Sequence, residues 1–118
     1  MVRDELEPSI VAKLSPLFAD RFYPEVKPQE PPAPQYPFGV YTVISEQRFK
    51  SANCDAIDQT SVQIDIYCLT ANLRRDKVKQ VKAAILELGG RFEALRQQTF
   101  DKDLRVFRAS LDCNFLFN

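Results

Sequence analysis

Apolar side chains recur at Leu6, Ile10, Leu14 and Leu17, with Val11 and Phe18 widening the stripe. Steps of four, four and three are helical, so the pattern predicts one amphipathic helix over about 4–18. Asp4, Glu5 and Glu7 stand at its opening, where negative charge complements the positive end of the helix dipole. Pro8 fits only the first turn, and Pro16 is expected to kink the helix or end it early. Phe22 and Tyr23 form a short apolar pair, a candidate minor strand. The segment FGVYTVIS (38–45) is dense in β-branched and aromatic residues and reads as a strand buried on both faces. Val62, Ile64, Ile66 and Cys68 then alternate with Gln63, Asp65 and Tyr67, which predicts a half-buried strand. Asp65 falls on its polar side, facing solvent or an interface.

A second helix is expected from a cap at Asn72 to a stop at Gly89-Gly90. Its apolar stripe is Val78, Val81, Ile85 and Leu88, with Ala84 alongside, and Arg74, Arg75, Lys77, Lys79 and Lys82 crowd the solvent side. Two closing strands follow over 92–100 and 104–117, joined by a turn at Asp101-Lys102-Asp103. In the last strand Phe107, Ala109, Leu111, Cys113, Phe115 and Phe117 form one face, and Arg108, Ser110, Asp112 and Asn114 the other. The element order predicts an α+β fold, a mainly antiparallel sheet of about four strands with two helices packed on it, as a single domain over 1–118.

Two stretches break the periodicity. Six of the eight prolines fall within 24–37, where missing amide donors favour an extended, stiff connector. A polar stretch with Arg48, Lys50, Asp55 and Asp58 follows the first long strand, and it reads as a long loop over 46–60.

Composition narrows the function. Sixteen Lys and Arg balance sixteen Asp and Glu, which excludes the large basic excess of a protein that binds by neutralising phosphates. The chain has no His, so the commonest general base and metal ligand are missing, and the expectation is a non-enzyme without cofactor or metal. Asp101 and Asp103 are two carboxylates in a turn, too few for a cation site and better read as turn formers. Cys54, Cys68 and Cys113 show no metal-ligand spacing, and their odd number fits reduced thiols. Cys68 and Cys113 continue apolar faces, whereas Cys54 lies in a polar stretch and is expected to be accessible. The opening MVRDELEPSI lacks the basic and apolar regions of a signal peptide, and no apolar run approaches a membrane span. Charge is uneven: residues 1–69 hold six basic and ten acidic side chains, residues 70–118 ten and six, an asymmetry that would let copies attract head to tail.

The opening helix ending in LFADRFYP, then PPAPQYPFGVYTVIS, then VQIDIYC before a basic amphipathic helix, and finally FDKDLRVFRASLDCNFLF span nearly the whole chain. In that order they resemble the tail-completion or tail-terminator proteins of long-tailed bacteriophages. The resemblance is one of layout and strand flavour. It implies a virion protein, assembled in the host bacterial cytoplasm, that forms a homo-oligomeric ring, commonly a hexamer. Such a ring caps the head-proximal end of the tail tube, ends tube growth and joins tail to head. The implied partners are copies of itself, the tail tube protein and the head connector or neck protein. Genomic DNA passes through without specific binding, and no membrane is involved. On loop length and charge, Arg48, Phe49, Lys50, Asp55 and Asp58 are the expected contact residues. The alternatives are a head-side neck or adaptor ring protein, and a small cytoplasmic adaptor that binds a partner through its proline-rich segment.

Overall fold

A computed structural model describes residues 3–25, 35–50, 56–103 and 105–117. The first helix is assembled from three pieces. A 3-10 turn at Arg3–Glu5 leads into α1 (Leu6–Leu14), and a second 3-10 turn follows at Ser15–Phe18. Pro16 lacks an amide donor, so the α ladder cannot continue and the chain tightens instead. The buried stripe is Leu6, Ile10, Leu14 and Phe18, steps of four throughout. Leu17, expected on that stripe, lies at its flank and is half-buried. Ala19 and Asp20 adopt left-handed φ values of 51° and 64°, which turn the chain sharply into a strand.

That strand is β1 (Phe22–Pro24), and the others are β2 (Phe38–Lys50), β3 (Ala56–Cys68), β4 (Arg91–Asp101) and β5 (Val106–Phe117), with α2 (Ala71–Glu87) between β3 and β4. Their order across the sheet is β1-β2-β3-β5-β4. β1 pairs parallel to β2, and every other pairing is antiparallel. The fold is therefore α+β with a mainly antiparallel sheet, but of five strands rather than about four. The Phe22-Tyr23 pair supplies the extra one, held along Gly39–Tyr41 of β2.

One sheet face carries the core. Val62, Ile64, Ile66 and Cys68 of β3 and Ala109, Leu111, Cys113, Phe115 and Phe117 of β5 pack against the α1 stripe and Val78, Val81, Ala84 and Ile85 of α2. Phe107, expected to join them, is half-buried beside Phe100. Close approach explains two glycines. A Cβ on Gly39 would meet the Phe22 ring at 2.7 Å, and one on Gly90 would meet the Phe115 ring at 2.6 Å.

The cap of α2 is Thr70, two residues before the expected Asn72: its hydroxyl accepts from the Leu73 amide at 3.1 Å. Thr70 holds the extended backbone a cap needs (φ −135°, ψ 154°), whereas Asn72 already lies inside the helix. At the other end Gly89 turns left-handed (φ 84°), and the Gly90 and Gly89 amides donate back to the Ile85 and Leu86 carbonyls. This is a Schellman termination at the predicted glycines. The basic side chains of α2 are less free than a solvated face implies. Arg74 donates to the Thr99 carbonyl at 3.1 Å, Lys77 donates to the Leu17 carbonyl, and the Lys82 ammonium lies 4.2 Å from the centre of the Phe92 ring.

The stretch 46–60 is not a long loop. β2 continues to Lys50 and β3 begins at Ala56, so most of it is paired strand. Backbone hydrogen bonds to a partner about ten residues away do not require an apolar face, and periodicity therefore misses them. Within the proline-rich connector, Pro28, Pro31, Pro32 and Pro34 lie outside the described residues. Pro24 ends β1, and Tyr36-Pro37 is a cis peptide immediately before β2.

Candidate functional site

The far end of the β2–β3 hairpin gathers most of the residues expected to make contacts. A register shift between Val43 and Ser45 marks a bulge at Ile44, whose side chain is turned out to solvent. Beyond it the ladder is regular: Ser45 opposite Ser61, Gln47 opposite Gln59, Arg48 opposite Asp58, Phe49 opposite Ile57 and Lys50 opposite Ala56. Among the described residues the last β3–β5 pair is Asp58 opposite Phe117. Beyond it the described hairpin continues for two more β2–β3 pairs, Phe49 opposite Ile57 and Lys50 opposite Ala56.

Arg48 and Asp58 pin that exit. Arg48 Nε donates to Asp58 Oδ1 at 2.9 Å, and Nη2 reaches Oδ2 at 3.5 Å, a forked contact across the two strands. The Arg48 hydrogen bond holds the Asp58 carboxyl below its ordinary value, and the same contact raises the Arg48 guanidinium. Below this pair Arg3 forms an ion pair with Glu46, which ties the amino-terminal turn to β2. Structure thus brings Arg48 and Asp58 together and places Phe49 and Lys50 next to them in β2. Asp55 and Cys54 lie outside the described residues.

A second feature was not legible as a site. The sheet face opposite the helices carries Phe38, Val40, Tyr67, Asp65, Ser110, Arg108 and Val106 in cross-strand rows. Asp65 was expected to be exposed or to lie in an interface, yet it is 6% exposed. Ser110 Oγ donates to its Oδ1, Arg108 Nη2 does so at 3.1 Å, and Gln63 Nε2 lies 3.2 Å from both carboxylate oxygens. Neighbouring rows wall it in. Phe38 stacks on Tyr67 with ring centres 4.5 Å apart, and the Arg108 guanidinium sits 5.6 Å from the Tyr67 ring centre. Strand alternation assigns a side, but long side chains on adjacent strands decide whether that side is wet.

Next to this network Tyr36, Phe38, Tyr67, Val106 and Arg108 line a cleft of about 290 Å³. Burial, and the nearby Asp101 carboxylate, push the Tyr36 phenol up. Burial also pushes the Tyr67 phenol up, against the opposing pull of Arg108. Asp101 itself accepts from the Asp103 amide at 2.9 Å, an Asx turn that makes the β4–β5 connection. Among the described residues no three His, Cys, Asp or Glu side chains cluster as a metal site. Burial pushes the Cys68 thiol to about 11 and the Cys113 thiol to about 12, so both stay protonated and inert near neutrality. No helix among the described residues is long and apolar enough to cross a membrane. No family model and no curated protein matches the chain.

Proposed function

We propose that this protein is a bacteriophage virion component that closes a ring on the head-proximal end of the tail tube, ends tube growth and joins the tail to the head. The observation that carries this reading is the β2–β3 hairpin, continued past β5 and pinned at its exit by Arg48 and Asp58. A two-stranded projection stabilises nothing in its own core. Backbone at the end of such an extension serves best as a contact element that a neighbouring molecule completes. An elongated body of 53 × 24 × 21 Å suits lateral packing of several copies around an axis. Zero net charge suits a conduit, because each phosphate left unneutralised adds no counterion-release affinity and DNA slides past.

The test removes the projection alone. Gln47 and Gln59 are paired, so replacing 48–58 by a two-residue Asn-Gly turn closes a short hairpin between them. The shortened chain should stay folded by circular dichroism while particles carrying it accumulate overlong tails or tails without heads. Overlong tails identify the terminator position. Normal-length tails that fail to join heads identify the neck position. Infectious particles of normal form would sink the reading.

A further inference from the structure

The sheet ends in two edges that no described strand covers. On one side β1 pairs only with Gly39–Tyr41, so 42–50 of β2 present an outer edge free of any described strand. On the other side β4 is the last strand, and no described strand pairs with its outer edge along 91–100. Uncovered edges are templates for another strand, and here each is interrupted by bulges, at Ile44 in β2 and at Glu93 and Arg96 in β4, which leave regular stretches between them.

The two edges are matched in direction. β2 is antiparallel to β3, β3 to β5 and β5 to β4, so β2 and β4 run opposite ways. A second copy placed beside the first without inversion therefore meets it with β2 antiparallel to β4, and the alternation of the sheet continues across the boundary. The flanking helices are matched in charge. α1 lies over the β1–β2 side, where the Tyr41 hydroxyl donates to Glu7 at 3.3 Å, and residues 3–25 carry five acidic and three basic side chains. α2 lies over the β4–β5 side, where Arg74 and Lys82 contact Thr99 and Phe92, and residues 71–101 carry seven basic and four acidic side chains. Asp4 and Glu5 on one flank and Arg75 and Lys79 on the other are exposed.

We propose that the outer edge of β2 pairs antiparallel with the outer edge of β4 in a second copy of this chain, with the acidic α1 flank of one copy against the basic α2 flank of the next. This rests on the ring reading and names the interface that would close the ring. The contact is heterologous, since two different patches meet, and a heterologous contact generates a ring when its rotation closes. The free stretches are offset: Arg91 stands level with Ser45 through Asn114 and Ser61. Neighbours are therefore displaced along the strand direction, the stagger that any closed sheet requires.

Hydrogen exchange on the assembled oligomer, formed by the pure chain or on isolated tail tubes, tests the proposal. The alternate amides of 42–50 and of 91–100 that point to the outer edges should slow by about tenfold or more relative to the monomer. An oligomer in which neither edge is protected, or only one, overturns the interface and leaves the ring reading standing. Failure to form any oligomer in either setting removes both. Charge reversal gives an independent measure. R75E/K79E should weaken association by about tenfold, and D4K/E5K on the same chain should restore it. Equal weakening with no restoration overturns the pairing of the two flanks.

Discussion

Arg108 donates to the Asp65 carboxylate at 3.1 Å from the neighbouring strand, on the sheet face opposite the helices. The acid lies in one row with Val40 and Ser110, and the next row, Phe38, Tyr67 and Arg108, closes over it. A carboxylate with three side-chain donors is tolerated at 6% exposure because its lone pairs are occupied. Here the sheet is stabilised by polar contacts on one face and by the apolar core on the other.

Asp65→Ala should therefore lower the unfolding free energy by about 2 kcal/mol, since it strands the Ser110 hydroxyl and the Arg108 guanidinium together. Asp65→Asn keeps an acceptor and should cost less. Urea unfolding of Asp65→Ala, Ser110→Ala and the double variant reads the coupling. Costs that simply add would show that the two groups do not act as a unit.

The hairpin should loosen in acid. Asp58 titrates below its unfolded value, so its contribution is fully present above the ordinary carboxylate range near 3.8 and is lost as the pH falls through the depressed folded value. Hydrogen exchange of Gln47, Arg48 and Gln59 amides should accelerate on acidification beyond the intrinsic trend. Asp58→Asn should abolish that pH dependence. The pair is exposed, so the global melting temperature should barely change in either case.

Gly90→Ala forces a methyl group against Phe115 and Ile85 and should destabilise the fold by about 1–3 kcal/mol. Gly89→Ala meets no neighbour but must hold φ 84°, and should cost about 1–2 kcal/mol through backbone strain alone. Thermal unfolding of both variants separates the two causes: enlarging Phe115's space with Phe115→Leu should relieve Gly90→Ala and leave Gly89→Ala unchanged.

Cys68 and Cys113 should resist alkylation by iodoacetamide at pH 8 in the native protein, because burial holds both thiols protonated. Both should label fully in denaturant, as read by peptide mapping. Native labelling of either would mean that the core face of β3 or β5 opens far more often than its packing implies.

The sequence by itself determined the two helices, the glycine stop of α2, the strand cores at 38–45 and 62–68, and the closing pair around the Asp101 turn. The helices, 62–68 and the last strand bury apolar stripes against one core, and such burial leaves its period in the chain. The 38–45 strand was expected to be buried on both faces, but only 38–41 is, and Ile44 is 51% exposed, because β1 flanks β2 only along Gly39–Tyr41. Leu17 shows the limit of that record: two candidates at adjacent positions were both apolar, and packing chose Phe18. Only the tertiary structure decided that 46–60 is mostly paired strand, that the candidate strand at Phe22-Tyr23 lies parallel to β2 at the sheet's edge, and that Asp65 is buried. Those outcomes depend on which strand lies alongside. Backbone hydrogen bonds are indifferent to side-chain identity, and the groups that cover Asp65 come from Phe38 and Arg108, far from it in the chain. The same holds for the edges that no described strand covers: β1 reaches only Gly39–Tyr41 of β2, and β4 inserts in sequence before β5 but lies outside it in space.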